Sequence, residues 1–160
     1  MTETLDELEA IYRGRYAIFL RVALAVTRDE QAARDAVHDA FVLAVRKRDR
    51  LRSERALEPC VWRIVVNEAR KRRRNEGRHI RDVEPAVGSY DPAELNVDVR
   101  AVVAALPERQ RLALFLRYYA DLDYAAIAAA LGVKPGTVAA TLSAAHSTLR
   151  RELEAALCPA

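Results

Sequence analysis

Hydrogen-bond donors recur at helical spacing near the middle of the chain. Arg63, Asn67, Arg70 and Arg74 follow one another at steps of four, three and four residues, so they share one face of a helix, and Arg73 adds a further donor. Guanidinium and amide groups bind phosphate oxygens and base edges. This pattern predicts a nucleic-acid-binding helix, although a run of charges can also be an ordinary solvated surface.

The distribution of charge favours the nucleic-acid interpretation. The whole chain has a net charge of only +3, but residues 46–81 carry 14 basic and 5 acidic groups, a net charge of +9. The flanking segments 1–45, 82–94 and 95–160 have net charges of −3, −4 and +1. A positive field confined to one segment indicates a polyanionic partner at that segment.

The elements that must position these donors are predicted to be helices. Apolar residues recur every three or four positions over residues 5–26 and again over 33–45, and Thr27 to Asp29 interrupts the pattern. These two helices should form an antiparallel pair. Pro59 suits the first turn of a third helix, which carries the donors. Residues 76–92 lack periodicity and contain Gly77, Pro85, Gly88 and Pro92, which indicates a linker.

A second helical unit is predicted beyond the linker. A short helix covers Val99 to Leu106, Pro107 begins the next, and Asp123 can cap a third over Tyr124 to Leu131. Gly132 then allows a tight turn into the last helix, as in a helix-turn-helix. The predicted fold is all-α, with two small helical domains at 1–75 and 94–160 joined by a flexible linker at 76–93.

The last helix is unusually neutral for one that would meet DNA. No Lys, Arg, Asp or Glu occurs from Thr137 to Leu149. With Val138, Leu142, Ala145 and Leu149 directed to the core, the outward face holds small uncharged side chains. The predicted contacts on this helix, which should be weak, are Lys134, Thr137, Ala140, Ser143, Ala144, Ser147 and Arg151.

Several classes of function are disfavoured by the sequence. No apolar run approaches a membrane span of ~18 residues, and the first ten residues are acidic, so we expect a cytoplasmic protein without membrane insertion. Cys60 and Cys158 have no ligand-type neighbours at zinc-binding spacing. There is neither a glycine-rich phosphate loop nor a nucleophile–base motif, so we expect no cofactor and no enzymatic activity.

Three stretches together resemble one bacterial family. The segments "ARDAVHDAF" (33–41), "VWRIVVNEARKRRR" (61–74) and "LPERQRLALFLRYYADLDYAAIAAALGV" (106–133) are similar, in their order and spacing, to the extracytoplasmic-function (ECF) sigma factors of the sigma-70 family, group 4. These are small transcription initiation factors. The resemblance covers nearly the whole chain outside the linker.

The resemblance implies a role for each domain. The first domain would bind core RNA polymerase through Asp35, His38 and Asp39, and would open the −10 element of promoter DNA through the donors at 63–74. The second domain would bind the −35 element, with the linker threading toward the RNA exit path. An anti-sigma factor is a further partner that the resemblance implies.

Some interpretations stay open at this point. The acidic residues at 35 and 39 could be a solvated face, or with His38 a metal site. Trp62 could stack on an unpaired base, although its neighbours Val61 and Ile64 favour the core. An arginine-rich loop at 51–58 could hold an extruded base, and Cys60 stands where the family usually has an aromatic residue. The neutral last helix also fits a sigma-like protein that binds polymerase or a regulator without directing initiation.

Overall fold

The computed structural model describes residues 2–52, 57–76 and 99–157, and α-helices are the only regular elements in these ranges. The helices are α1 (Thr2–Thr27), α2 (Glu30–Arg46), α3 (Arg48–Leu51), α4 (Leu57–Glu76), α5 (Val99–Ala105), α6 (Glu108–Tyr118), α7 (Tyr124–Leu131) and α8 (Pro135–Leu157). The predicted all-α class is therefore confirmed. Apart from Glu76, the predicted linker lies outside the described residues, and the domain boundaries stay a prediction.

The break between the first two helices lies where the sequence predicts it. Asp29 caps α2, because its side chain accepts a hydrogen bond of 3.0 Å from the backbone N–H of Ala32. Only Arg28 and Asp29 connect α1 to α2, so the chain reverses at once and the two helices pack against each other.

The third predicted helix, α4, packs across both members of this pair. Its Trp62 is fully buried, with ring centroids 4.1 Å from Phe19, and Phe19 in turn lies edge-to-face with Phe41. The indole N–H of Trp62 donates to Glu58 over 3.3 Å, so this buried polar group is satisfied. Trp62 is therefore a core residue and not an exposed platform for a base.

The segment before α4 differs from the loop predicted at 51–58. Leu51 ends the short helix α3, and Leu57 already begins α4, with Pro59 in its first turn. Residues 53–56 lie outside the described part of the chain. The loop predicted at 51–58 was therefore too long at both ends, because Leu51 and residues 57–58 are helical.

The second half has the helix-turn-helix that the sequence predicts. Asp123 caps α7 by accepting a 2.8 Å hydrogen bond from the N–H of Ala126. Gly132 ends α7 with φ of +68°, a left-handed conformation that glycine adopts without a Cβ penalty. Pro135 then begins α8, where its missing N–H is not needed.

The two halves pack against each other. Helix α1 contacts α6, and α4 contacts α7, so that buried apolar residues of both halves form one continuous cluster. The first bundle (α1–α4) and the second bundle (α5–α8) are therefore in a closed arrangement, which fixes where the candidate DNA-binding faces lie.

Candidate nucleic-acid interface

The outward face of α4 presents the predicted donors to solvent. Arg63, Asn67 and Arg74 are exposed, and at 100° per residue they lie within about 40° of one another around the helix. Val61 and Val65, on the far side, are fully buried in the first bundle. The apolar side of α4 therefore fixes the direction of this row of donors.

Arg70 and Arg73 lie at the border of this face and bind the second bundle. The Nε of Arg70 donates to Oε1 of Glu108 over 3.0 Å, and Nη1 of Arg73 donates to Oε2 of Glu108 over 3.2 Å. Arg73 also donates to the carbonyl of Val26 at the end of α1. Two of the predicted DNA-contacting residues are thus engaged by the protein itself in the closed arrangement.

The acidic residues of α2 are brought together, as their spacing predicts, and they hold an arginine of α4. Arg72 forms ion pairs with Asp35 (3.5 Å from Nη1 to Oδ2) and with Asp39, and both carboxylates remain partly exposed. His38, beside them, is exposed. The sequence reasoning missed Arg72, although its position nine residues after Arg63 places it on the opposite side of α4, toward α2.

Arg111 of α6 is almost completely buried at the junction of the two bundles, with 4% of its surface exposed. It donates to the carbonyls of Ala25, Ala104 and Leu106 over 2.8 to 3.2 Å. Burial, together with the nearby cations Arg28 and Arg73, lowers the pKa of Arg111 to about 10, and Glu108 opposes this shift. The guanidinium is therefore still charged at neutral pH, and carbonyl dipoles stabilise it.

The sequence reasoning missed Arg111 as well. A signal was present, because Arg111 precedes Leu114 and Phe115 by three and four residues and so shares their inward face. A charged residue at such a position requires buried acceptors. Those acceptors are the ends of α1 and α5, which sequence periodicity does not identify.

The orientation predicted for α8 agrees with the structure. Val138, Leu142 and Ala145 are buried, and Leu149 packs partly buried against the same core. Ala140, Ser143, Ala144 and Ser147 are exposed, as are Lys134 and Arg151 at the two ends, and Thr137 is half-buried. The outward face of α8 is therefore small and uncharged over about three turns.

An aromatic contact that was not foreseen crosses from α6 to α8. The hydroxyl of Tyr118 lies 2.8 Å from Nε2 of His146, and their ring centroids are 5.8 Å apart. Tyr118 is 62% exposed, so this pair stands at the surface next to the outward face of α8. It orients His146, the one titratable side chain in the neutral stretch from Thr137 to Leu149.

Within 2–52, 57–76 and 99–157, His, Cys, Asp and Glu do not cluster in a group of three or more suited to a metal ion. In the same ranges no individual helix has the length and apolarity to cross a membrane, whereas α7 and α8 taken together, bent by 97°, meet that test by length and composition.

A helical bundle with a row of exposed donors, followed by a helix-turn-helix bundle, defines a two-domain DNA-binding protein. Comparison with known proteins gives the family. The family model for sigma-70 region 2 matches residues 11–79, and the model for sigma-70 region 4 matches residues 96–149. The chain therefore belongs to the sigma-70 family of RNA polymerase sigma factors.

Individual relatives narrow the assignment. The chain is 29% identical to the RNA polymerase sigma-E factor of Streptomyces avermitilis, over 92% of this chain and 86% of the relative. It is also 29% identical to the ECF RNA polymerase sigma factor SigM of Mycobacterium tuberculosis, over 91% of this chain and 76% of SigM. The protein is an alternative sigma factor of the ECF type, which directs transcription initiation.

A solved structure shares the fold. The sigma factor RpoE of Bartonella quintana, crystallised in complex with the anti-sigma factor NepR, superimposes with a TM-score of 0.72 at 23% identity. The match covers 89% of this chain and 95% of RpoE. The two-bundle fold is therefore one that a sigma factor is known to adopt.

Proposed function

We propose that α4 is the main promoter-binding element of this sigma factor. Arg63, Asn67, Arg70, Arg73 and Arg74 would contact the −10 region. The observation that carries the proposal is the exposed row of Arg63, Asn67 and Arg74, held outward by the buried valines behind it. Such donors bind phosphates from a fixed helix and reach base edges where strands separate.

Core RNA polymerase binds on a different side of the first bundle, at Asp35, His38 and Asp39 of α2. The supporting observation is chemical: the two carboxylates already hold the guanidinium of Arg72 while staying partly exposed. A surface that binds a guanidinium from its own chain suits a cationic surface on the polymerase. Polymerase docking and DNA binding are thus assigned to different sides of the first bundle.

Helix α8 makes the second DNA contact, at the −35 element, and that contact is weak. Its candidate residues are Lys134, Thr137, Ala140, Ser143, Ala144, Ser147 and Arg151. The N–H groups in the first turn of α8 add donors. Alanine side chains can contact thymine methyl groups, which gives some readout but little affinity.

Three further properties follow from this assignment. The chain itself performs no catalysis, because the polymerase carries out the chemistry. It acts in the cytoplasm, where the polymerase is. Like RpoE, whose crystal structure contains NepR, it is regulated by an anti-sigma factor.

The test is reconstituted transcription. The purified chain, added to sigma-free bacterial core polymerase with a genomic promoter library, should give specific transcripts, and sequencing their 5′ ends identifies the promoters. The double variant Arg63→Ala with Asn67→Ala should lose transcripts while keeping polymerase binding in a pull-down. Full transcription by the double variant would overturn the role of α4.

A further inference from the structure

A polar pair lies beside the neutral face of α8. The hydroxyl of Tyr118 on α6 and Nε2 of His146 on α8 are 2.8 Å apart, and both side chains are exposed. At 100° per residue, His146 lies about 60° from Ser143 around α8, and the exposed Arg150 lies between them. On a helix in a DNA groove, residues beside the base-facing side are placed to contact phosphates. The pair and Arg150 occupy that position along one side of α8.

The pair can present its protons in two ways. A tyrosine hydroxyl both donates and accepts hydrogen bonds, and a neutral imidazole has one donor nitrogen and one acceptor nitrogen. When Nε2 of His146 carries no proton, it accepts a hydrogen bond from the hydroxyl of Tyr118. When the imidazole is protonated, both ring nitrogens are donors, so Nε2 donates to the hydroxyl oxygen instead. The O–H of Tyr118 is then released to donate to an acceptor outside the protein.

Acids of the second bundle do not pair with His146. Within the described residues its polar partner is Tyr118, and it forms no ion pair with a carboxylate. On α8 itself the nearest acid in the sequence, Glu152, lies six residues further on and pairs with Arg151. The helices α5, α6 and α7 pack against α8. Their other charged or titratable side chains are Arg100, Glu108, Arg109, Arg111, Arg117 and Tyr124.

Most of these groups on α6 are engaged away from His146. Glu108, the one acid among them, binds arginines of the first bundle, and Arg111 is buried at the junction of the two bundles. Arg109 lies on the side of α6 opposite to Tyr118. Arg117 donates to a backbone carbonyl of the loop before α7 over 3.2 Å. A proton on His146 therefore adds a positive charge that a carboxylate of these helices does not offset.

We propose that Tyr118 and His146 form a phosphate-binding pair for the DNA backbone, and that His146 contributes a cation to it only when protonated. A DNA phosphate favours the protonated imidazole. By linkage, the second bundle should bind DNA more tightly as the pH falls through the range from about 8 to 5 in which histidines titrate. The role of the pair depends on the proposed contact between α8 and promoter DNA. A helix that is otherwise neutral over about three turns thereby gains a contact whose strength varies with pH.

The test compares the full chain with variants of the pair on a fluorescein-labelled duplex of mixed sequence, since phosphate contacts need no particular promoter. His146→Gln keeps a neutral polar side chain, His146→Arg carries a charge at every pH used, and Tyr118→Phe removes only the hydroxyl. The matched control for Tyr118→Phe is Tyr124→Phe, because Tyr124 is another exposed tyrosine of the second bundle. Fluorescence anisotropy at about pH 8 and about pH 5.5 measures affinity, over a range of salt concentrations.

The parent should gain affinity at the lower pH relative to His146→Gln, by up to about eightfold at 0.1 M salt, and its salt slope should steepen by up to about 0.9. His146→Gln shares every other titrating group, so the difference between the two profiles belongs to His146. His146→Arg should bind about eightfold more tightly than His146→Gln at both pH values. Tyr118→Phe should match the parent at the higher pH and bind about threefold more weakly at the lower one, where its hydroxyl is released.

Each remaining result overturns a defined part of the proposal. Parallel pH profiles of the parent and His146→Gln, with tighter binding by His146→Arg, would overturn the proton-linked contact while leaving α8 on DNA. If His146→Arg did not gain affinity at either pH, the proposed contact between α8 and DNA would itself be wrong. Equal affinities of Tyr118→Phe and Tyr124→Phe at the lower pH would remove Tyr118 from the phosphate-binding pair.

Discussion

The two helices assigned to promoter DNA differ in the surface that they present. The exposed face of α4 carries Arg63, Asn67 and Arg74, whereas the exposed face of α8 carries alanine and serine. In both helices a buried apolar stripe fixes the direction of the outward face. The buried residues therefore determine the orientation of each helix, and the exposed residues determine its affinity for DNA. A helix can keep its place in the fold without charges on its outward face.

The first bundle is also the one with two charged surfaces of opposite sign. Arg72 joins them at the back of α4 by binding Asp35 and Asp39 of α2. The second bundle has no comparable surface on α8, where Lys134 and the Arg150–Arg151 pair flank the neutral stretch. We therefore expect the first bundle to determine both polymerase docking and the salt dependence of DNA binding.

The largest expected effect comes from reversing the acidic surface. Asp35→Lys combined with Asp39→Lys should weaken assembly with core polymerase by more than about 100-fold, because two attractive charges become repulsive. Exposed ion pairs contribute only about 0–1 kcal/mol each to folding, so the free energy of unfolding should change little. Gel filtration of the mixture measures assembly, and circular dichroism checks the fold.

The control for this prediction is the neutral pair Asp35→Asn and Asp39→Asn, which releases Arg72 without reversing the charge. It should assemble more weakly than the parent and better than the lysine variant. Full assembly by the lysine variant would assign these residues to an ordinary solvated surface.

Adding cations to α8 should remove the difference in DNA affinity between α4 and α8. Ala139→Arg, Ala144→Arg and Ser147→Arg are exposed positions outside the core stripe, so their cost in stability should stay within about 0.5 kcal/mol. Three new phosphate contacts should steepen the log–log salt dependence by about 2.7 and raise duplex affinity most at low salt. Fluorescence anisotropy at several salt concentrations measures both. An unchanged slope would show that this face of α8 does not meet DNA.

Removing cations from α4 should have a somewhat smaller effect in the opposite direction. Arg63→Ala with Arg74→Ala should reduce the salt slope by about 1.8 and affinity roughly 50-fold at 0.1 M salt. These two exposed residues make a cleaner test than Arg70, because Arg70 also binds Glu108. The same anisotropy titration applies, with Arg13→Ala on α1 as the control. Equal losses in the control and the test variant would indicate a non-specific charge effect.

The sequence was sufficient to predict the structural features that depend on residues close together in the chain. The caps at Asp29 and Asp123, the left-handed Gly132 and the apolar stripes of α4 and α8 each depend on residues within a few positions. It was also sufficient to predict that Arg63, Asn67 and Arg74 of α4 and the small side chains of α8 face outward, since helical spacing determines which residues share a face.

The contacts that the sequence did not predict join residues far apart in the chain. Glu108 and Arg111 look like ordinary surface charges of an amphipathic helix, and their partners in the first bundle, Arg70, Arg73 and Ala25, lie 35 to 86 residues away. Helical periodicity shows that the side chain of Arg111 faces inward, but it does not show which carbonyls accept its hydrogen bonds. The sequence also did not show that neighbouring arginines of α4 bind different helices. Arg72 binds α2, whereas Arg70 and Arg73 bind α6.

The smallest expected effect concerns the one cation at the start of α8. Lys134 is exposed, and its carbonyl accepts hydrogen bonds from the N–H groups of Thr137 and Val138, an arrangement that Lys134→Ala preserves. If the neutral helix meets DNA through its N-terminus, Lys134 supplies one phosphate contact beside the backbone donors. Its loss should reduce the salt slope by about 0.9 and affinity about eightfold at 0.1 M salt. The control is Lys47→Ala, an exposed lysine at the end of α2 that lies on neither proposed DNA face. A duplex titration of the full chain measures both variants. If Lys134→Ala and Lys47→Ala bind alike, Lys134 makes no phosphate contact at the N-terminus of α8, and the salt dependence comes from α4 and the Arg150–Arg151 pair.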